Sequence, residues 1–360
     1  MKTTPFTFIL LLLGLAGCKE VDPAPATEID GLELTFTNIP ESGLYPSIHF
    51  ISESTGFLQT ITDHLYKTTD GGNTWTELNM KDASGNRLDI SFVDSKEGWG
   101  ISRGLFGPYF GHQSHLLFHT KDEMKTWEEV DPSLSRKVIL SSVSFVTPIV
   151  GFAYGDSTVL KTIDAGKTWS ASIPNGIIGS IYESKFEDKD VGVILDASGQ
   201  LLRTANGGDS WDLVREFSNG FAGTTLPTLT LATGHYIFAS TTTGIEKSSD
   251  LGLTWSALES LPPRAELRVT SASASLLFRP ARRFHFSSDD TGFVFGSGED
   301  IGTDASPDFL GSIYYTSDGG KSWKGTNSVH ETGTLYSASF PTATTGYFVG
   351  SNKLVRVRIK

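Results

Sequence analysis

The chain has 360 residues, with 29 lysines and arginines against 41 aspartates and glutamates and a formal net charge of −12. A surface this acidic argues against non-specific nucleic-acid binding, which depends on clustered cations neutralising phosphates. Its 38 glycines, set among Ser, Thr, Asp and a steady supply of Phe, Tyr and Trp, predict an all-β chain of short strands and tight turns.

The first element is a targeting segment. Lys2 gives a short positive region, and Phe6 to Gly17 is an apolar run too short to span a bilayer. The run ends in Leu15-Ala16-Gly17-Cys18, which resembles the bacterial lipobox. That resemblance implies cleavage before Cys18 and diacylation of its thiol, so residues 1–17 read as a lipoprotein signal peptide. Acyl chains would hold the mature protein to a membrane by burying CH₂ groups. Cys18 is the single cysteine, so no intrachain disulfide can form. Residues 18–31, with Pro23, Pro25 and several acidic side chains, read as a flexible tether. Glu20 and Asp22 weakly resemble surface-export signals. The expected location is the bacterial cell envelope, lipid-anchored at the outer membrane or cell surface.

Residues 32–360 are built on one repeated unit. Its first marker is a Phe followed six residues later by Gly: Phe50/Gly56, Phe92/Gly98, Phe145/Gly151, Phe186/Gly192, Phe286/Gly292 and Phe340/Gly346. Thr228/Gly234 reads as a seventh copy that lacks the Phe. An aromatic often follows the Gly, as in Phe57, Trp99, Phe152, Phe293 and Tyr347. The marker predicts a strand, a turn, and a second strand starting at the Gly.

The second marker is Ser/Thr-x-Asp-x-Gly-x-Thr/Ser-Trp, an Asp box. Its copies pair Asp70 with Trp75, Asp122 with Trp127, Asp164 with Trp169, Asn206 with Trp211, Asp250 with Trp255 and Asp318 with Trp323. Met124 replaces the Gly in the second copy, and Asn206 replaces the Asp in the fourth. The Asp or Asn side chain can accept hydrogen bonds from the turn's own N–H groups. Gly allows the positive φ of a tight turn, and the Trp is expected in the core. These residues therefore read as structural.

Each unit becomes strand, Gly turn, strand, loop, strand, Asp-box turn, strand. Four antiparallel strands per unit make a propeller blade. Seven Phe/Gly positions stand against six boxes, because the chain ends after the third strand of unit seven. The segment Leu32 to Phe36 occupies the slot of a fourth strand with no blade of its own. It is expected to complete blade seven and close the ring, removing exposed edges.

Asp boxes occur in sialidases, sortilin-type receptors and other propellers. The whole unit is more specific. Phe-x5-Gly-aromatic, a strand ending Lys/Arg-Thr, and Asp-Gly-Gly-x-Thr/Ser-Trp together resemble the photosystem II stability/assembly factor family over residues 47–360. Asp70 to Trp75 and Ser317 to Trp323 are the best copies. The resemblance implies a seven-bladed propeller acting as a non-enzymatic binding and assembly factor. Nothing in the residues implies photosynthesis.

Three segments exceed the repeat's length, and all fall on the face opposite the Asp boxes: Arg103 to His115, Glu259 to Arg283 and Gly298 to Gly311. Inserted loops on a rigid scaffold favour ligand sites. Arg264, Arg268, Arg279, Arg282 and Arg283 form a basic cluster whose forks suit carboxylate, sulfate or phosphate, or pair with Glu299, Asp300, Asp304 and Asp308. Tyr109, Phe110 and His112 sit in an aromatic loop suited to a sugar or peptide, or packed over its own blade. The acidic loop 298–311 matches no EF-hand, and His112 and His115 have no second ligand cluster, so no metal site and no cofactor is expected. The reading is a non-enzymatic, envelope-anchored binding or assembly module whose partner is a protein or a glycan.

The alternative is a sialidase-type glycoside hydrolase. It requires an Arg-Ile-Pro-like motif near the N-terminus, a three-arginine clamp spread over blades and a Tyr-Glu pair. No Arg precedes Arg87, the arginines cluster, and no two groups flanking one bond can be nominated.

Overall fold

The computed structural model describes residues 27–43, 46–60, 64–78, 87–94, 96–103, 116–130, 138–217, 228–231, 236–241, 244–258, 283–300 and 309–360. These residues form seven antiparallel sheets, six of four strands and one of five, arranged as a seven-bladed propeller. The six four-stranded blades are meanders in chain order. Blade one, for example, runs Ser47–Phe50, Gly56–Gln59, Leu65–Thr68 and Thr76–Leu78.

The Phe/Gly marker is a steric lock between the first two strands. Phe50 pairs directly with Gly56 across the ladder, and its ring lies on the bare Cα. A Cβ there would stand 2.6 Å from the ring. The same close approach recurs for Phe92 on Gly98, Phe145 on Gly151, Phe186 on Gly192, Phe286 on Gly292 and Phe340 on Gly346. The aromatic after the Gly faces the other way and stacks on the next blade's Phe. Phe57 lies on Phe92 at 4.6 Å between centroids, Trp99 on Phe145 at 3.5 Å and Phe152 on Phe186 at 3.4 Å, and Phe238, which follows Ile237 in place of the Gly, lies on Phe286 at 3.7 Å.

The Asp box is closed by two side chains that share one set of donors. Asp70 Oδ1 accepts the Thr68 hydroxyl at 2.8 Å and the Thr74 amide at 2.9 Å, while Oδ2 accepts the Thr74 hydroxyl at 2.6 Å. Thr68 Oγ1 in turn accepts the Gly72 amide at 2.9 Å. The pattern repeats at Asp122, Asp164, Asn206, Asp250 and Asp318. Met124 holds a φ of 69° where the best copies have Gly. Its side chain is buried against Phe57 and Leu65 of blade one, so packing offsets the unfavourable backbone.

Seven hydrophobic clusters occupy the described seams, one between each pair of neighbouring blades. The core is therefore divided like the spokes of a wheel, and each box Trp packs edge-on against a Phe, as Trp75 does on Phe50 and Trp211 on Phe186.

Leu32–Asn38 pairs along its whole length with the last strand, Lys353–Ile359, and so supplies the outer strand of blade seven. The tether ends earlier than its composition suggests. Thr27–Ile29 is a further strand on the outside of Leu32–Asn38, giving blade seven five strands instead of four. Asp30 and Gly31 both have positive φ, 47° and 84°. That is the two-residue turn geometry for which Asp-Gly is suited.

Two further expectations are corrected. In unit five the pair that occupies the Phe/Gly register is Leu231 opposite Ile237, not Thr228/Gly234. Without a ring, the lock has no need of a bare Cα. Phe217 replaces the missing Phe against the box, edge-on to Trp255 at 5.6 Å. In unit six, the strands Gly292–Asp300 and Phe309–Thr316 pair past the expected loop start, with Asp300 opposite Phe309. Gly298 to Asp300 and Phe309 to Gly311 are therefore strand.

Candidate functional site

Strand direction fixes the two faces. Asp-box turns and first Gly turns share one face. Arg103 and Leu116, Ala257 and Arg283, and Asp300 and Phe309 are strand ends on the other. The three long segments identified in the sequence thus leave from one face. Cys18, Tyr109, Phe110, His112, Arg264, Arg268, Arg279 and Arg282 lie outside the described residues. Arg283 begins the first strand of blade six, opposite Phe295.

The Asp-box carboxylates are committed to their turns. Asp318 accepts the Ser322 hydroxyl and amide and the Thr316 hydroxyl, and these bonds hold its pKa at about 2. Asp164, bonded likewise by Thr168 and Thr162, is also held at about 2.

The inner strands are stitched by polar side chains. Ser339 Oγ of blade seven accepts the Phe50 amide at 2.8 Å, and Asp89 Oδ2 of blade two accepts the Val143 amide at 2.9 Å. Ser142 donates to the same carboxylate at 2.5 Å. Farther round, burial pushes Lys185 of blade four down to about 8 against the pull of Glu183 and Glu187. Burial, with Lys185 as a second cause, pushes His285 of blade six down to about 4. His285 lies flat on Phe340, 3.8 Å between centroids.

A row of side chains on the third strands crosses the seams near the Asp-box face. Each stands directly before the box Thr or Ser. Lys67 reaches Glu123 in the box of blade two at 2.6 Å. Lys247 donates to the Asp289 carbonyl of blade six at 3.2 Å. Tyr315 donates to the Asp30 carbonyl at 3.1 Å, in the turn that takes the place of a blade-seven box. This accounts for the Lys/Arg-Thr ending of the repeat as an inter-blade latch.

At the seam between blades two and three, His119 holds that position. It stays within its own blade, stacked on Trp99 at 4.4 Å and 11°. Its Nε2 lies 3.0 Å from Glu97 and its Nδ1 3.5 Å from Glu128. Beside it opens a groove of about 360 Å³, walled by Glu97, Lys121, Glu128 and Glu129 of blade two and Ala165 to Lys167 of blade three. The groove lies at a seam of regular repeat length, which no insertion marks in the sequence. The available signal was His119-Thr120, where four other units carry Lys or Arg and unit six carries Tyr315. Among the described residues no group of three or more His, Cys, Asp or Glu is placed to hold a metal ion.

A family model described as photosynthesis system II assembly factor YCF48 matches residues 32–139. The photosystem II assembly lipoprotein Ycf48 of a Synechococcus strain is 23% identical over 224 residues, 59% of this chain and 60% of that relative's length. A solved structure of YCF48 bound to D1 peptide superposes with a TM-score of 0.64 at 18% identity, covering 94% of this chain and 99% of the other. The GH74 enzyme of Niastella koreensis superposes with a TM-score of 0.59 at 13% identity, over 89% of this chain and 53% of the enzyme. At these identities the superpositions speak to the fold alone.

Proposed function

We propose that this chain, a Ycf48-like seven-bladed propeller, acts without catalysis as a protein-binding assembly factor held to a membrane by a lipid. The observation that carries the reading is the likeness over nearly the whole ring to YCF48 bound to D1 peptide. The lipoprotein name of the relatives supports acylation of Cys18. Placement at the outer membrane or cell surface rests on Glu20 and Asp22, and a glycan ligand rests on the sequence of the aromatic loop.

The ring is built for presentation. Its boxes, latches and stacks spend their polar and aromatic groups on holding blades in register, which leaves seams and strand-end loops to meet a partner. Within this reading Arg264, Arg268, Arg279, Arg282 and Arg283, with Tyr109, Phe110 and His112, are the sequence's candidates on the face opposite the boxes.

Chemical cross-linking in intact membranes, followed by purification of the full chain and identification of attached proteins, tests the reading. A specific protein should be recovered above a control propeller of like charge. An empty recovery refutes protein binding. Unchanged recovery after Arg264, Arg268 and Arg282 are all changed to Ala removes those arginines from the assignment. Metabolic labelling with an alkyne fatty acid should mark the wild-type chain and not Cys18→Ser.

A further inference from the structure

We infer that the groove between blades two and three, on the Asp-box face, is a docking site for a lysine or arginine side chain of a protein partner. The inference rests on the reading of the chain as a protein-binding propeller and names a surface for it.

Other seams are filled by a cation from the preceding blade. The ammonium of Lys67 lies 5.8 Å over the Phe57 ring while bonding Glu123 of the next blade. Lys161 lies 5.9 Å over Phe152 and ends against Gly207 in the box of blade four. Lys247 lies 5.8 Å over Phe238 while bonding blade six. A cation over an aromatic, reaching the next blade, is thus the recurring arrangement, and for Lys67 and Lys247 it ends on an oxygen there.

At the seam between blades two and three the aromatic is present as Trp99, but the latch is too short to cross. His119 turns back to Glu97 and Glu128. The space a lysine would occupy is the groove, whose blade-two wall carries Glu97, Glu128 and Glu129 beside Lys121, itself 3.6 Å from Glu128, and whose facing wall carries Lys167.

Trp99 is fully buried, and its indole N–H, without a hydrogen-bond partner among the described residues, packs on Gly166 of the facing wall, where a Cβ would stand 2.8 Å away. Beside that wall, Ile149 and Ile163 are 57% and 66% exposed. The Ile149 carbonyl accepts the amide of the wall residue Ala165 at 3.0 Å, which keeps this isoleucine at the groove's rim. Exposed apolar side chains at the rim of a charged groove suit a partner segment with a cation next to apolar residues.

The test uses two capped peptides, acetyl-Ile-Lys-Ile-amide and the same peptide with norleucine for lysine. Each is titrated into the full chain, with the Trp99 indole N–H signal followed by NMR. The lysine peptide should bind about tenfold more tightly than the norleucine peptide. Glu97→Gln should weaken the lysine peptide several-fold. His119→Lys, which supplies the latch from within, should abolish its binding while the melting temperature holds or rises.

Equal affinity for the two peptides overturns the inference, and so does undiminished binding to folded His119→Lys. If that variant fails to fold, Glu97→Gln and Glu129→Gln decide: unchanged affinity in both overturns it. A chain that recovers a protein partner from membranes yet ignores the lysine peptide refutes the groove and leaves the protein-binding reading intact.

Discussion

Tyr347 of the last blade lies flat on Phe50 of the first, with ring centroids 3.6 Å apart and planes 5° from parallel. Its hydroxyl donates to the Glu53 carbonyl at 2.6 Å. The contact repeats the stacking of Phe57 on Phe92, but here it joins the two ends of the chain. Truncation to Ala removes a fully buried ring and leaves the closing seam short of contacts. Tyr347→Ala should cost about 3–5 kcal/mol, and Tyr347→Phe, which loses the hydroxyl alone, about 1 kcal/mol. Urea unfolding measures both. A loss in the Ala variant no larger than that in the Phe variant would show that the stack does not hold the ring shut.

The Phe/Gly lock predicts a clash that can be relieved. Gly192→Ala places a methyl inside the ring of Phe186 and should cost about 1–3 kcal/mol, as overpacking does. Phe186→Leu in the same chain removes the ring from that spot. The double variant should be less destabilised than the sum of the two single changes, with a coupling of about 1 kcal/mol. Strict additivity would mean that the six-residue spacing has another origin.

Most of the ring was legible because its markers describe contacts between near neighbours in sequence. Phe186 and Gly192 face each other across one turn, and Thr68, Asp70 and Thr74 complete their box within seven residues. Closure followed from counting, since six boxes and seven Phe positions leave one outer strand to find. What went unread needed knowledge of the neighbouring blade. Phe217 stands in for a Phe in the following unit, and the meaning of His119 depends on where Lys67 and Lys247 point. Asp30-Gly31 was a local hairpin signal hidden by its place behind a proline-rich tether. Arg264 and its neighbours were conspicuous because they interrupt the repeat, and a repeat carries no information about a segment that breaks it.

The Asp boxes predict acid sensitivity. Asp164 and Asp318 are held at about 2 by hydroxyl and amide donors, below an ordinary unfolded value near 3.9. Their folded pKa is depressed, so the stability they contribute is fully present above pH of about 4 and is lost as pH falls toward 2. Asn206 fills the same role without a proton to gain: its Oδ1 keeps the two bonds from Thr204 and Ser210, and its Nδ2 donates to the Ser210 hydroxyl. Asp318→Asn should therefore fold, and stability measured between pH 5 and pH 2 should fall less steeply than in wild type. An unchanged slope would show that this carboxylate does not drive acid unfolding.

Lys185 predicts the opposite slope at the other end of the scale. Burial lowers it to about 8 from the ordinary lysine value of 10.5. Between these values the unfolded chain holds a proton that the folded chain has released, so wild-type stability should rise with pH from about 8 to 10.5. Below pH 8 the buried ammonium carries its full penalty. Lys185→Met removes that penalty and should raise stability at pH 7 by up to about 3 kcal/mol, from the size of the shift. The gain should shrink as pH climbs past 8. The same variant removes a cation that holds His285 down, so the fall in stability on acidification, which starts near pH 6.5, should be smaller and level off at a higher pH than in wild type. A variant whose advantage is independent of pH, or which is less stable at pH 7, would mean that Lys185 is held charged by Glu183 and Glu187 rather than penalised by burial.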